Sequence, residues 1–78
     1  GEEFLFLVPC ADRAAVWNFA ERIRVSIEHH SFERVKSLTA SFGIAHLQPD
    51  DTLDLLMRRA DQALYISKAK GGNMVSVL

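Results

Sequence analysis

Residues 37–47 read SLTASFGIAHL and have the alternating pattern of a β-strand. Apolar side chains on one face alternate with small ones on the other, the two sets being Leu38, Ala40, Phe42 and Ile44, and Ser37, Thr39, Ser41 and Gly43. Because successive side chains of a strand point to opposite faces, this stretch predicts a strand with one face of small residues. The fold then depends on the segments that flank it.

Helical periodicity precedes this strand. Asp12 is a suitable N-cap, and apolar residues recur at helical spacing from there to His30. This first stripe consists of Val16, Phe19, Ala20, Ile23 and Ile27. The charged residues Glu21, Arg22, Arg24 and Glu28 are predicted on the opposite side of the helix.

A second helix is predicted after the strand. Residues 49–51, Pro-Asp-Asp, break the strand and offer helix caps. The apolar stripe that follows contains Leu53, Leu56, Met57, Ala60, Ala63 and Leu64. It ends at Gly71 and Gly72, which form a natural helix stop.

Short strands are predicted near both ends of the chain. The continuous apolar run Phe4–Val8, stopped by Pro9, is typical of a central strand, and residues 74–78 form a third short strand. The predicted order is β-α-β-α-β, with helices long enough to join parallel strands. The predicted fold class is therefore α/β (an α+β sandwich) in one compact unit.

Composition limits the function classes. A chain of 78 residues buries only about 60% of its unfolded surface, so its stability should be marginal and a partner surface is expected. The net charge of −1 argues against binding of nucleic acid or anionic lipid. The single cysteine, Cys10, fits a reducing cytoplasm. No run is long enough for a membrane span or typical of a signal peptide, so an anchor in the parent protein would lie elsewhere.

Two adjacent carboxylates stand at the start of the first predicted strand. Gly1, Glu2, Glu3 and Phe4 combine a glycine suited to a tight turn with two side chains that can reach a metal ion held over the loop. Adjacent glutamates beside a turn are solvated surface residues in most proteins. The tetrapeptide alone therefore leaves a surface role and a catalytic role both open.

Three ordered motifs change this balance. Residues 1–4, GEEF, resemble the end of the GG(D/E)EF signature of the GGDEF domain family. Residues 41–45, SFGIA, resemble the family strand S-x-G-x-A, and residues 60–73, ADQALYISKAKGGN, resemble its helix end A-D-x-A-L-Y-x-A-K-x-x-G-R-N. The resemblance covers the whole chain, which it places as the C-terminal part, residues 1–78, of a single GGDEF domain.

The resemblance implies the fold and activity of a diguanylate cyclase. It implies a ferredoxin-like, palm-type domain that works as a homodimer, with one GTP held by each partner. The 3′-hydroxyl of each GTP attacks the α-phosphate of the other, which yields cyclic di-GMP and two pyrophosphates. Mg2+ or Mn2+ is the implied cofactor, because hard cations prefer carboxylate oxygens and offset phosphate charge.

The resemblance also assigns roles to individual residues. Glu2 is implied as a metal ligand and general base, Glu3 as a second metal ligand, and Gly1 as the glycine that lets the backbone approach the nucleotide. Lys68 is implied to contact the triphosphate. A simpler interpretation of Lys68 is that its charge complements the C-terminal end of the helix dipole.

One position departs from the family pattern. Gly72 stands where the family has an arginine four residues after the lysine, so a bidentate phosphate contact is expected to be missing. Lys70 is a possible substitute at a different position on the helix. Weaker GTP binding or slower turnover is the resulting hypothesis.

Parts of the family domain have no counterpart in these residues. They include a strand with an aspartate metal ligand, the Asn and Asp that read guanine, the first signature glycine, and the R-x-x-D inhibitory pattern. The 78 residues alone are therefore expected to be inactive, with unpaired strand edges that are completed by an N-terminal half or by a second chain.

Other candidate residues carry less weight. His29, His30 and His46 lack the spacing of a metal site, and Trp17 and Tyr65 are predicted to be packing residues. Phe4, Phe6 and Phe42 are expected in the core, because the basic residues of a nucleic-acid platform are lacking. The functions that remain are an active cyclase, a degenerate GGDEF module that regulates an attached sensor or phosphodiesterase domain, and a small α/β domain for protein contacts.

Overall fold

The structure is a computed structural model that describes residues 12–30 and 38–78. These residues contain two helices and two strands. In chain order they are α1 (Arg13–His29), β1 (Phe42–Ile44), α2 (Leu53–Ala69) and β2 (Val75–Val77). The α-β-α-β order and the mixed content confirm the predicted α/β class. The strand predicted at Phe4–Val8 lies outside the described residues.

The two strands pair in parallel across the α2 crossover. Phe42 lies opposite Val75 and Ile44 opposite Val77. Each strand is shorter than predicted. The three consecutive positive φ angles at residues 71–73 turn the chain just before Val75, so β2 has no residues left to pair with the earlier part of the predicted strand.

Helix α1 begins where the capping pattern predicted. Asp12 Oδ1 accepts hydrogen bonds from the backbone N–H groups of Ala14 (3.0 Å) and Ala15 (3.3 Å). These bonds satisfy donors that would otherwise lack intrahelical partners. The predicted extent to His30 is confirmed to within one residue.

Helix α2 begins at a different cap from the one predicted. Thr52 is the N-cap, and its Oγ1 accepts from the N–H of Leu55 at 3.2 Å. Asp51 is not available as a cap, because its carboxylate accepts from Gln48 N (2.8 Å) and from two nitrogens of the Arg59 guanidinium (3.1 and 2.5 Å). The hydrogen bonds from Arg59 are the main cause of a lowered pKa at Asp51, with the Gln48 bond adding to it.

The small face of β1 is where α2 packs. A methyl group placed on Gly43 would lie 2.2 Å from the backbone nitrogen of Leu64 and 2.4 Å from the carbonyl oxygen of Ala60. Helix and strand backbones are therefore in direct contact at Gly43. Ala63, on the same side of the helix, is fully buried, and Ile44 is buried in the strand.

The outer face and the first turn of α2 remain exposed. Leu53 is 60% exposed and Tyr65 is 73% exposed. The prediction of Tyr65 as a packing residue is wrong for the contacts within this chain. It lies two residues from both Ala63 and Ser67, which face the strands, and this spacing turns it to the far side of the helix. Among the described residues, no helix is long and apolar enough to cross a membrane.

Candidate functional site

The C-terminal end of α2 is the part of the candidate site that the structure describes. Lys68 lies in the last turn of α2 and is exposed. The helix closes with a Schellman motif, in which Gly72 N–H donates to the Ser67 carbonyl (2.9 Å) and Gly71 N–H to the Lys68 carbonyl (3.1 Å). The predicted helix stop at Gly71 and Gly72 is confirmed.

The turn after α2 requires residues that accept a left-handed backbone. Gly71 and Gly72 have φ angles of +115° and +77°, and Asn73 has a φ of +53°. Glycine takes such angles at no steric cost, and asparagine tolerates them better than most other residues. A methyl group on Gly72 would also lie 3.3 Å from Ser41 Oγ. The backbone itself thus favours glycine at the position where the family pattern has arginine.

Ser67 ties the end of α2 to both strands. Its side chain is fully buried, its hydroxyl donates to the Phe42 carbonyl at 2.8 Å, and its Oγ lies 2.7 Å from Ser76 Oγ, within hydrogen-bond distance. The residue before Lys68 is therefore fixed to β1 and β2. The sequence signal for this contact was a polar residue within the apolar stripe, four residues after Ala63.

A polar cluster joins the turn to α1. Arg24 Nη1 donates to Asn73 Oδ1 at 2.8 Å, and Asn73 Nδ2 donates to Glu28 Oε2 at 2.5 Å. Arg24 also donates to both carboxylate oxygens of Glu21, which lowers the pKa of Glu21. The prediction that Arg24 lies on the side of α1 away from its contacts is wrong, because this long side chain reaches Asn73 and is only 15% exposed.

The predicted metal ligands Glu2 and Glu3, together with Gly1, lie outside the described residues. Their roles remain predictions. Among residues 12–30 and 38–78, no three His, Cys, Asp or Glu side chains converge on a possible metal site.

The comparison with known proteins decides the family. The model of the family described as "Diguanylate cyclase, GGDEF domain" matches residues 1–74. The chain belongs to the GGDEF domain family. This match includes the predicted carboxylates and the helix end that contains Lys68, so the three motifs that predicted the family lie within one continuous match.

Relatives of this GGDEF chain include proteins named as diguanylate cyclases. It is 39% identical over 75 residues to diguanylate cyclase DgcM of Escherichia coli (strain K12), covering 96% of the chain and 18% of the relative. It is 39% identical over 84 aligned positions to diguanylate cyclase VdcA of Vibrio cholerae, covering the whole chain and 25% of the relative. The chain is also 33% identical over 81 positions to response regulator PleD of Caulobacter vibrioides, covering 96% of the chain and 18% of the relative.

The GGDEF chain spans about a fifth to a quarter of the length of these relatives. No solved structure matches it. The relatives therefore establish the family of this segment, and the described helix–turn places one motif of that family, residues 60–73, at the exposed end of α2.

Proposed function

We propose that the complete domain is a diguanylate cyclase that condenses two GTP molecules into cyclic di-GMP and two pyrophosphates. The observation that carries this proposal is the continuous family match over residues 1–74, with relatives named diguanylate cyclase that align with nearly the whole chain. The intact carboxylate pair supports turnover rather than binding alone.

Each half of the reaction is a phosphoryl-group substitution. The 3′-hydroxyl oxygen of one GTP forms a bond to the α-phosphorus of the other. The bond from that phosphorus to the pyrophosphate oxygen breaks, and the hydroxyl proton passes to Glu2. A second substitution in the opposite direction closes the ring and releases the second pyrophosphate. Bound Mg2+ or Mn2+ would offset phosphate charge and be held by Glu2 and Glu3.

Two copies of the domain are needed, because each reacting hydroxyl belongs to the nucleotide held by the partner. The proposed partners are therefore GTP and a second copy of the domain, with a sensor or phosphodiesterase domain in the parent protein and no nucleic acid. The proposed location is the cytoplasm, where GTP is available, with any inner-membrane anchor in another part of the parent protein.

Lys68 is proposed to hold the triphosphate. Its ammonium group extends from the exposed last turn of α2, and a charge-assisted contact to a phosphate contributes about 1.5–3 kcal/mol. We expect Lys68→Ala to weaken Mg2+-dependent GTP binding about 10- to 100-fold, measured by isothermal titration calorimetry on the full-length protein.

Arg58→Ala is the matched control for this measurement, because Arg58 is an exposed cation of the same helix about 15 Å away along its axis. It is expected to leave GTP affinity unchanged. Equal losses of GTP affinity in Lys68→Ala and Arg58→Ala would contradict the assignment of Lys68. A loss of GTP affinity confined to Lys70→Ala would assign the phosphate contact to Lys70 instead.

A second candidate function rests on Gly72. Without the family arginine, the domain would bind GTP and regulate an attached domain without turnover. Incubation of the full-length protein with GTP and Mg2+ separates the two functions. Cyclic di-GMP as product supports the cyclase, whereas bound and chemically unchanged GTP supports the regulatory module.

The contribution of the missing arginine can be isolated by comparing Gly72→Arg with Gly72→Ala. Both variants place a Cβ on a backbone with φ of +77°, so both are expected to lose about 1–2 kcal/mol of folding stability. Only the arginine adds a guanidinium, and we expect it to bind GTP about tenfold more tightly than the alanine variant. Equal GTP affinities would exclude a role for the missing arginine.

A further inference from the structure

Asn73 is held by hydrogen bonds to two separate elements of the fold. Its side chain accepts from Arg24 Nη1 at 2.8 Å and donates to Glu28 Oε2 at 2.5 Å, both on α1. Its backbone N–H donates to Ser41 Oγ, just before β1, at 3.0 Å. Asn73 is thus fixed from both sides although it lies in a turn with a left-handed backbone.

The α1 side of this contact is itself held by hydrogen bonds. Arg24 is half-buried and donates from Nε and Nη2 to the two carboxylate oxygens of Glu21, one turn earlier on the same helix. A planar guanidinium held in this way presents its remaining nitrogen in a defined direction. Nη1, which reaches Asn73, is that nitrogen.

The turn between Lys68 and Asn73 is closed by the backbone hydrogen bonds of the Schellman motif and contains two glycines. Gly71 and Gly72 have no side chains to restrict their dihedral angles, and a methyl group on Gly71 would meet no atom within 4 Å. The last turn of a helix readily frays unless its ends are held. Lys68 lies in that last turn, so its position depends on how firmly the turn is fixed.

We propose that Asn73, Arg24 and Glu28 form a clamp that positions Lys68 for the triphosphate by fixing the turn after α2 against α1. The inference rests on the proposed function, in which Lys68 contacts GTP. Asn73 and Arg24 are positioning residues, since they act through the helix end and not through contact with the nucleotide. The role is distinct from that of Ser67, which fixes the helix to the strands.

Asn73→Gly tests the clamp, because glycine accepts the left-handed backbone and lacks the whole side chain, including the amide that bonds Arg24 and Glu28. In the full-length protein we expect it to weaken GTP binding about five- to tenfold. The same substitution made in a Lys68→Ala background is expected to have no further effect, because the clamp acts through Lys68. Arg22→Ala, an exposed cation on α1, is the control and is expected to leave GTP affinity unchanged.

A purely structural role predicts a different result from this cycle. It would make the losses of GTP affinity from Asn73→Gly and Lys68→Ala independent, so that their effects multiply, and that outcome would overturn the proposal. Full affinity in Asn73→Gly would also overturn it.

Hydrogen exchange gives a readout that does not depend on GTP. The N–H groups of Lys70, Gly71 and Gly72 are all bonded within the helix end, and Asn73→Gly is expected to speed their exchange about tenfold. Unchanged exchange would exclude the clamp even if GTP binds. If exchange speeds up as expected and GTP does not bind the unaltered protein, the clamp fixes the turn after α2 but the proposed function, and with it the role of the clamp in positioning Lys68 for GTP, fails.

Discussion

Gly43→Ala is expected to prevent stable folding. The added methyl group would lie 2.2 Å from Leu64 N, 2.8 Å from Leu64 Cα and 2.4 Å from the Ala60 carbonyl oxygen. All three atoms belong to the backbone of α2, so no side-chain rotation can relieve the overlap. The helix must move away from β1, which also separates Ser67 from the Phe42 carbonyl.

Gly43→Ala is expected to lower the free energy of unfolding by at least the upper end of the roughly 1–3 kcal/mol that is usual for overpacking. A small domain has a low free energy of unfolding to begin with, so this loss is enough to prevent stable folding. Thermal unfolding followed by circular dichroism measures it. Gly71→Ala makes the same chemical change at φ +115° with no atom within 4 Å of the added methyl group, so its cost is limited to about 1–3 kcal/mol of backbone strain. Equal stability losses would show that close packing at Gly43 is not what holds α2 to the strand.

Local sequence patterns predicted the helices well because their signals are local. The Asp12 cap lies within three residues of the donors that it binds, and the Gly71–Gly72 stop forms a Schellman motif with residues just before it. The small face of β1 was also visible in the alternation around Gly43. The role of this face, close packing against the backbone of α2, is shown only by the structure.

The errors came from contacts between residues far apart in sequence. Asp51 is a good helix cap by residue type, but its carboxylate accepts hydrogen bonds from Arg59, which lies eight residues later in the chain. Arg24 was predicted on the side of the helix opposite the apolar stripe, while its partner Asn73 lies 49 residues away. No local pattern contains that pairing. The predicted carboxylate site depends on family resemblance, because spacing alone left a surface role open for Glu2 and Glu3.

Glu2→Gln is expected to abolish catalysis while preserving the fold. The amide has the same shape as the carboxylate, but it can neither accept the 3′-hydroxyl proton nor supply a negative charge to a metal ion. Loss of a general base alone costs about 10²- to 10⁴-fold in rate, and weaker metal binding adds to it. Asp54→Asn, the same carboxylate-to-amide change on the exposed first turn of α2, is the control and should leave the rate unchanged.

The most direct test of the central claim is the formation of cyclic di-GMP from GTP and Mg2+ by the full-length protein, measured by liquid chromatography with mass spectrometry. Product from the unaltered protein, with at least a hundredfold lower rate for Glu2→Gln, is the predicted result. GTP that binds but yields no product would contradict the cyclase and favour a regulatory module. Equal product from both proteins would contradict the role given to Glu2.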